Sequence, residues 1–135
     1  MSAPDSPLDI ASYIDHTVLT PEASAADVEA LCAEAVDYEV AAVCVSPSLV
    51  PVAVGAVARR IGVATVAGFP SGAHPSSAKV ADAVFAADAG ATEIDIVISR
   101  RHVLSGNWQA LYDEMAAMRA ACGEAHVKAI LATGE

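Results

Sequence analysis

Two residue types placed in otherwise apolar strands suggest chemistry. Asp95 sits at the centre of "GATEIDIVISR", where isoleucine and valine alternate as in a buried strand. Lys128 sits in the same way within "HVKAILAT". A carboxylate in a packed strand is costly unless it is paired or hydrogen-bonded. A lysine on a neighbouring strand can supply that pairing, so one reading is a structural ion pair. The other is catalytic. A lysine among apolar groups has its ammonium destabilised and can attack a carbonyl as the free amine, while an adjacent carboxyl moves protons beside that carbonyl. Together these point to Schiff-base carbonyl chemistry. Burial and pairing act on the lysine in opposite directions, and both readings stay open on pattern alone.

The elements that must position these residues follow from periodicity. Five short apolar segments, "YIDHTVL", "AAVCVSP", "VATVAGFP", "EIDIVIS" and "HVKAILAT", read as strands. Between them lie stretches with helical spacing. Ser24 and Asp27 form an N-cap and N3 pair ahead of Val28, Leu31, Cys32 and Ala35, which share one helix face. Ser48 is expected to cap a second helix ending near Arg59 and Arg60. A third carries Val80, Ala83, Val84 and Ala87 and stops at Gly90. A fourth carries Trp108, Leu111, Met115 and Met118 as a packing stripe and stops at Gly123. Ser6 and Pro7 are expected to open a short N-terminal helix. Lys79, in "SSAKVADA", reads as a surface or loop residue, and "RRH" at Arg100 to His102 as a solvated loop.

Strands alternating with helices imply right-handed crossovers and a parallel sheet. The unit length suits a (β/α)8 barrel, and no glycine-rich turn follows the first strand as a doubly wound nucleotide-binding sheet would require. With no linker or low-complexity segment, residues 1–135 are expected to form a single domain. Side chains alternate across a strand. Asp15, Cys44, Asp95 and Lys128 therefore fall on mixed faces that converge on the barrel interior, while the all-aliphatic faces meet the helices.

Composition narrows the function classes. Seventeen acidic residues against seven basic ones give a net charge of −10, which disfavours nucleic acid and anionic membranes as partners. No leader pattern or membrane-length apolar run is evident, so a cytoplasmic location is expected. The three cysteines, Cys32, Cys44 and Cys122, and four scattered histidines read as free thiols and as no metal site. Cys44 has no histidine at strand spacing, so it reads as a pocket-lining residue rather than a nucleophile.

In order and spacing, "YIDHTVL", "AAVCVSPSLVPVA", "VATVAGFPSGAHPSSAK", "GATEIDIVI" and "HVKAILATGE" resemble deoxyribose-phosphate aldolase, a family of class I aldolases. The resemblance covers the chain from about Ile10 onwards. It implies a (β/α)8 barrel of the TIM-barrel type, usually preceded by a short helix. It also implies reversible cleavage of 2-deoxy-D-ribose 5-phosphate to D-glyceraldehyde 3-phosphate and acetaldehyde, without metal or cofactor. By the same resemblance Asp95 relays protons through water, and Asp15, Cys44 and Lys128 line or support the substrate pocket.

The pattern also departs from the family. There the Schiff-base lysine lies on strand six, in a segment like F-x-K-T-S-T-G, and a second essential lysine lies on strand seven. The sequence holds only Lys79 and Lys128, and neither matches. Nor does it contain the glycine-rich phosphate loops expected after strands seven and eight. Ala132 stands where relatives often carry glutamate. The chain is therefore expected to be an incomplete barrel of about five parallel strands. The alternative to an aldolase is an inactive partial barrel that associates with another chain, as a homo-oligomer or through open sheet edges. A further possibility is that Lys128 itself serves as the amine.

Overall fold

The structure, a computed structural model, describes residues 10–135; the expected cap at Ser6 and Pro7 lies outside the described residues. Five parallel strands, β1 (Asp15–Val18), β2 (Ala42–Val45), β3 (Gly62–Ala67), β4 (Glu93–Val97) and β5 (His126–Ile130), lie side by side in sequence order. The intervening helices are α1 (Ala25–Asp37), α2 (Val50–Val57), α3 (Ser76–Asp88), α4 (Arg100–Leu104) and α5 (Trp108–Ala121). This is a five-stranded arc of the (β/α)8 barrel class. Among the described residues β1 and β5 are its two edges, each paired on one side only.

The local signals account for most boundaries. Ser24 and Asp27 form the expected capping box: the Asp27 amide donates to Ser24 Oγ at 3.1 Å, and the Ser24 amide donates to Asp27 Oδ2 at 2.8 Å. Gly90 and Gly123 follow α3 and α5 with φ of 101° and 57°, the left-handed conformation that ends a helix at little cost in glycine. Ser48 does not cap a helix. It lies inside a 3-10 turn, Pro47–Leu49, that leads straight into α2. Pro47 supplies the pre-set φ that starts this turn, so no side-chain cap is needed there. Arg100 to His102 are not a loop either; they form the first part of α4.

The core lies between the outer face of the sheet and the helices. Val43, Val45, Ile94 and Ile96 pack against Val28, Cys32 and Ala35 of α1, Val50, Ala53 and Val57 of α2, Ala83 and Ala86 of α3, and Met118 of α5. Small side chains dominate, which lets the helices lie close on the sheet. Thr65 is buried on this face, and its hydroxyl donates to the Val45 carbonyl at 2.7 Å, so that hydroxyl is satisfied. Cys32 and Cys122 belong to this core as free thiols. Trp108 does not: it is 62% exposed, at the first turn of α5, where only Met118 of the expected stripe is fully buried. The turn of α5 facing the sheet is taken instead by Glu114.

The reason lies in Lys79, which is not on the surface. Its side chain is fully buried, and Nζ sits 3.0 Å from Glu114 Oε1. The ammonium also donates to the Val97 carbonyl at 2.8 Å and to Ser99 Oγ at 3.1 Å. Glu114 in turn accepts from the Ser76 hydroxyl at 2.6 Å and from the Ser99 amide at 3.2 Å. Burial pushes the Glu114 carboxyl up, but the hydrogen bonds from Ser76, Lys79 and Ser99 outweigh it and hold the group below its usual range. This network joins α3, the end of β4 and α5. Gly68, with φ of 66°, leaves room for the lysine stem, against which any Cβ would press.

Candidate active site

The opposite, concave face of the sheet carries the polar residues. Adjacent strands are in register there: Val66 pairs with Asp95, and Asp95 with Lys128. Strand alternation puts Glu93 two residues before Asp95 on the same face. Cys44, Ala64 and Val66 form a small apolar floor, with Leu19 packed against it.

Lys128 is the hub. Its ammonium donates to Asp15 Oδ2 at 2.6 Å, lies 2.7 Å from Glu93 Oε1, and is 3.5 Å from Asp95 Oδ2. Hydrogen-bond geometry is met with Asp15, whereas the Glu93 contact is a close ion pair. The four side chains come from β1, β4 and β5, so the cluster spans the arc from edge to edge. Three of the residues singled out in the sequence, Asp15, Asp95 and Lys128, are thus brought together. Cys44 lies on the same face, close enough for the charges of Asp95 and Asp15 to act on its thiol. Glu93 is the member that the sequence did not single out. The signal was present: an acid-x-acid spacing on one strand aims both carboxylates the same way.

Burial and charge give each group a distinct state. Burial, opposed by the Lys128 charge and reinforced by the hydrogen bond and charge of Glu93, pushes the Asp95 carboxyl up to about 7. Asp95 Oδ1 is buried and has no hydrogen-bond partner among the described residues. Glu93 behaves oppositely. Burial raises it, but the Lys128 and Asp95 contacts prevail and hold it below its usual range. Burial also works to lower Lys128, yet the contacts with Asp15, Glu93 and Asp95 outweigh it and hold the ammonium above its ordinary range. Pairing therefore wins over burial at this lysine. Burial, with the neighbouring Asp95 and Asp15 charges, pushes the Cys44 thiol up to about 12, so it is a neutral thiol at neutral pH.

Carboxylate oxygens of Asp15, Glu93 and Asp95 lie within 4.8 Å of one another, a spacing that could surround a metal ion. The Lys128 ammonium, in contact with all three, is the cation they hold. What the arrangement offers is a neutral-range carboxyl beside a fixed positive charge, on the wall of a concave face with an apolar floor. That combination can stabilise an anionic group and exchange a proton with a reacting molecule.

A parallel strand–helix arc with acids and a lysine converging on its inner face defines a barrel protein of the α/β class. The chain belongs to the DeoC/LacD family of aldolases, whose profile matches residues 10–135. It is 51% identical to deoxyribose-phosphate aldolase of Mycobacterium ulcerans over 122 residues, which is 90% of this chain and 53% of that protein. It is 47% identical to the enzyme of the same name from a Cyanothece species over 134 residues, 98% of this chain and 58% of that protein. Among solved structures it matches one from Coccidioides immitis, provisionally assigned as a deoxyribose-phosphate aldolase. The TM-score is 0.93 at 35% identity, covering 98% of this chain and 53% of that one. It also matches the tetrameric deoxyribose phosphate aldolase of Aeropyrum pernix, with TM-score 0.78 at 34% identity, covering 93% and 53%. The chain spans about half the length of the curated relatives it matches. Among the described residues no helix is long and apolar enough to cross a membrane.

Proposed function

We propose that residues 10–135 fold as one unit and carry the proton-handling part of a class I aldolase site. The reaction is the reversible cleavage of 2-deoxy-D-ribose 5-phosphate to D-glyceraldehyde 3-phosphate and acetaldehyde. The observation that carries this reading is Asp95, buried on the concave face with its proton affinity brought close to neutrality beside the Lys128 ammonium. Aldol cleavage needs a group that takes the hydroxyl proton as the carbon–carbon bond breaks and returns a proton to carbon afterwards. A carboxyl with ordinary affinity is almost wholly ionised at neutral pH and is a poor donor. One near neutrality serves in both directions.

Asp15 and Lys128 act as supports in this reading. Asp15 anchors the ammonium, and the ammonium keeps Asp95 from rising further. Cys44 stays a thiol and shapes the apolar floor. Lys128 is not the Schiff-base amine, because three carboxylates hold it charged. Lys79, enclosed with Glu114 behind the sheet, is not available either. The reaction therefore needs an amine that neither lysine provides.

The test is a titration of 2-deoxy-D-ribose 5-phosphate into isotopically labelled protein, with parallel measurement of acetaldehyde release. Saturable shifts at the Asp95 carboxyl and Lys128 signals are expected, and any turnover should be lost in Asp95→Asn. Absence of both a saturable shift and turnover would overturn the assignment.

A second reading has its own observation. β4 is buried along most of its length, whereas His126, Lys128 and Ala129 of β5 are exposed, as is Leu131 beyond it. An open strand edge of this kind pairs readily with another chain. Self-association through β5 into a homo-oligomer is expected in light scattering, and a monodisperse monomer would exclude it.

A further inference from the structure

A second cavity, of about 510 Å³, opens between the loop joining β3 to α3 and the segment leading from β4 into α4. It shares no lining residue with the Lys128 cluster. Its wall carries Arg100, Arg101, His74 and His102. For a chain of net charge −10 with only seven lysines and arginines, two arginines and two of the four histidines at one cavity run against the charge of the whole.

The floor of this cavity is neutralised. Glu114 is the one acidic side chain in the lining, and its carboxylate is met by the buried Lys79 ammonium at 3.0 Å. The Ser76 hydroxyl donates to Oε2 at 2.6 Å, so the floor presents no net negative charge to an incoming anion. Arg100 is fixed at the mouth: it donates to the Ser71 carbonyl at 3.2 Å and pairs with Glu135. Arg101 is exposed, and among the described residues its guanidinium makes no ion pair. The cavity also meets the start of α3, a 13-residue helix whose N-cap, Pro75, makes no side-chain hydrogen bond to the first turn. That adds the positive end of a helix dipole to the Arg101 guanidinium and the two imidazoles, Arg100 being already paired with Glu135. The backbone shape is enforced by Gly72, where a Cβ would run into the Ile98 carbonyl.

We propose that this cavity is a binding site for phosphate or a small phosphate monoester. Guanidinium groups match the geometry of tetrahedral oxyanions, and a second arginine with two histidines suits a doubly charged one. The volume admits a small organic phosphate, within the usual range for small-molecule sites. The proposal stands independently of the aldolase reading, since it uses none of the residues on the concave face.

The test is titration of the 135-residue protein with inorganic phosphate and, separately, with glycerol phosphate. Binding is read by calorimetry and by the imidazole signals of His74 and His102. Saturable binding is expected, with sulfate competing. Arg101→Gln, an exposed position, should weaken it at least about tenfold, the loss expected for one charge-assisted contact. Arg59→Gln, an exposed arginine outside the cavity, should leave it unchanged. Tighter binding of the monoester would show that an organic phosphate is the ligand. Equal binding would show that free phosphate is. No saturable response, or equal weakening in the two variants, would overturn the site.

Discussion

Lys128 Nζ lies 2.6 Å from Asp15 Oδ2, a contact between the two edge strands of the sheet, which share no backbone pairing. The residues are 113 apart in sequence, so the bond forms only once the arc has curved. Lys128 therefore has two consequences at once: it links β1 to β5 across the concave face, and it sets the charge around Asp95.

Removing that charge should move Asp95. The Lys128 charge lowers the affinity of Asp95 for its proton, and burial with Glu93 raises it. In Lys128→Met the carboxyl should titrate above about 7, and the site should hold fewer carboxylates ionised at neutral pH. Because Lys128 is about half exposed, the loss of stability should be small, of the order of 1 kcal/mol. Carboxyl NMR and urea denaturation measure the two effects.

Held as an ammonium, Lys128 should be a poor amine. Treatment with acetaldehyde and borohydride is expected to modify it more slowly than an unpaired surface lysine, as peptide mapping by mass spectrometry would show. Rapid and selective ethylation at Lys128 would instead make it the Schiff-base residue.

Asp95 should leave a signature in stability against pH. Its affinity is raised in the folded state, so from about pH 4 to about pH 7 the folded chain keeps a proton that the unfolded chain gives up. The contribution of Asp95 to stability therefore falls as pH rises through that window and levels off above it. Asp95→Asn removes this term, so its advantage over the wild type should grow between those limits. Urea midpoints across the range test it. Glu93, held below its usual range, acts at lower pH and in the opposite sense.

The buried pair behind the sheet should be less forgiving than the exposed one. Lys79→Met leaves Glu114 as an uncompensated buried charge and is expected to cost about 3–5 kcal/mol. The double variant Lys79→Met/Glu114→Leu should recover much of that loss. Recovery should be incomplete, because Ser76, Ser99 and the Val97 carbonyl lose their partners. Denaturation of the two single variants and the double one settles the coupling.

Cys44 should be inert. With its thiol pushed up to about 12, the thiolate fraction near pH 8 is about a thousandfold below that of a free cysteine. Iodoacetamide should label it only on unfolding, and fast alkylation of the native protein at Cys44 would contradict its assignment as a neutral lining residue.

Strand parity explains why so much of the site was legible in the sequence. In a strand of period two, the position of Asp95 between Ile94 and Ile96 decides which face it joins. The same holds for Cys44 between Val43 and Val45, and for Lys128 between Val127 and Ala129. Helix ends marked by Ser24, Gly90 and Gly123 were equally local. Lys79 was not legible, because its partner Glu114 lies 35 residues away on another helix. A lysine within the first turn of an amphipathic helix gives no local sign of burial. Glu114 was obscured in the same way by apolar neighbours that suggested a stripe through Trp108. Glu93 went unassigned because its 2.7 Å contact with Lys128 depends on the register of β4 against β5, a diagonal cross-strand pairing that neither strand's own sequence states.

The most direct test is the titration of the Asp95 carboxyl by carbon-13 NMR, assigned by comparison with Asp95→Asn. The proton-relay assignment predicts a midpoint near 7 that moves upward in Lys128→Met. A midpoint in the ordinary carboxylate range, near 4, would mean that Asp95 is simply a structural partner of Lys128 and would contradict the proposed role.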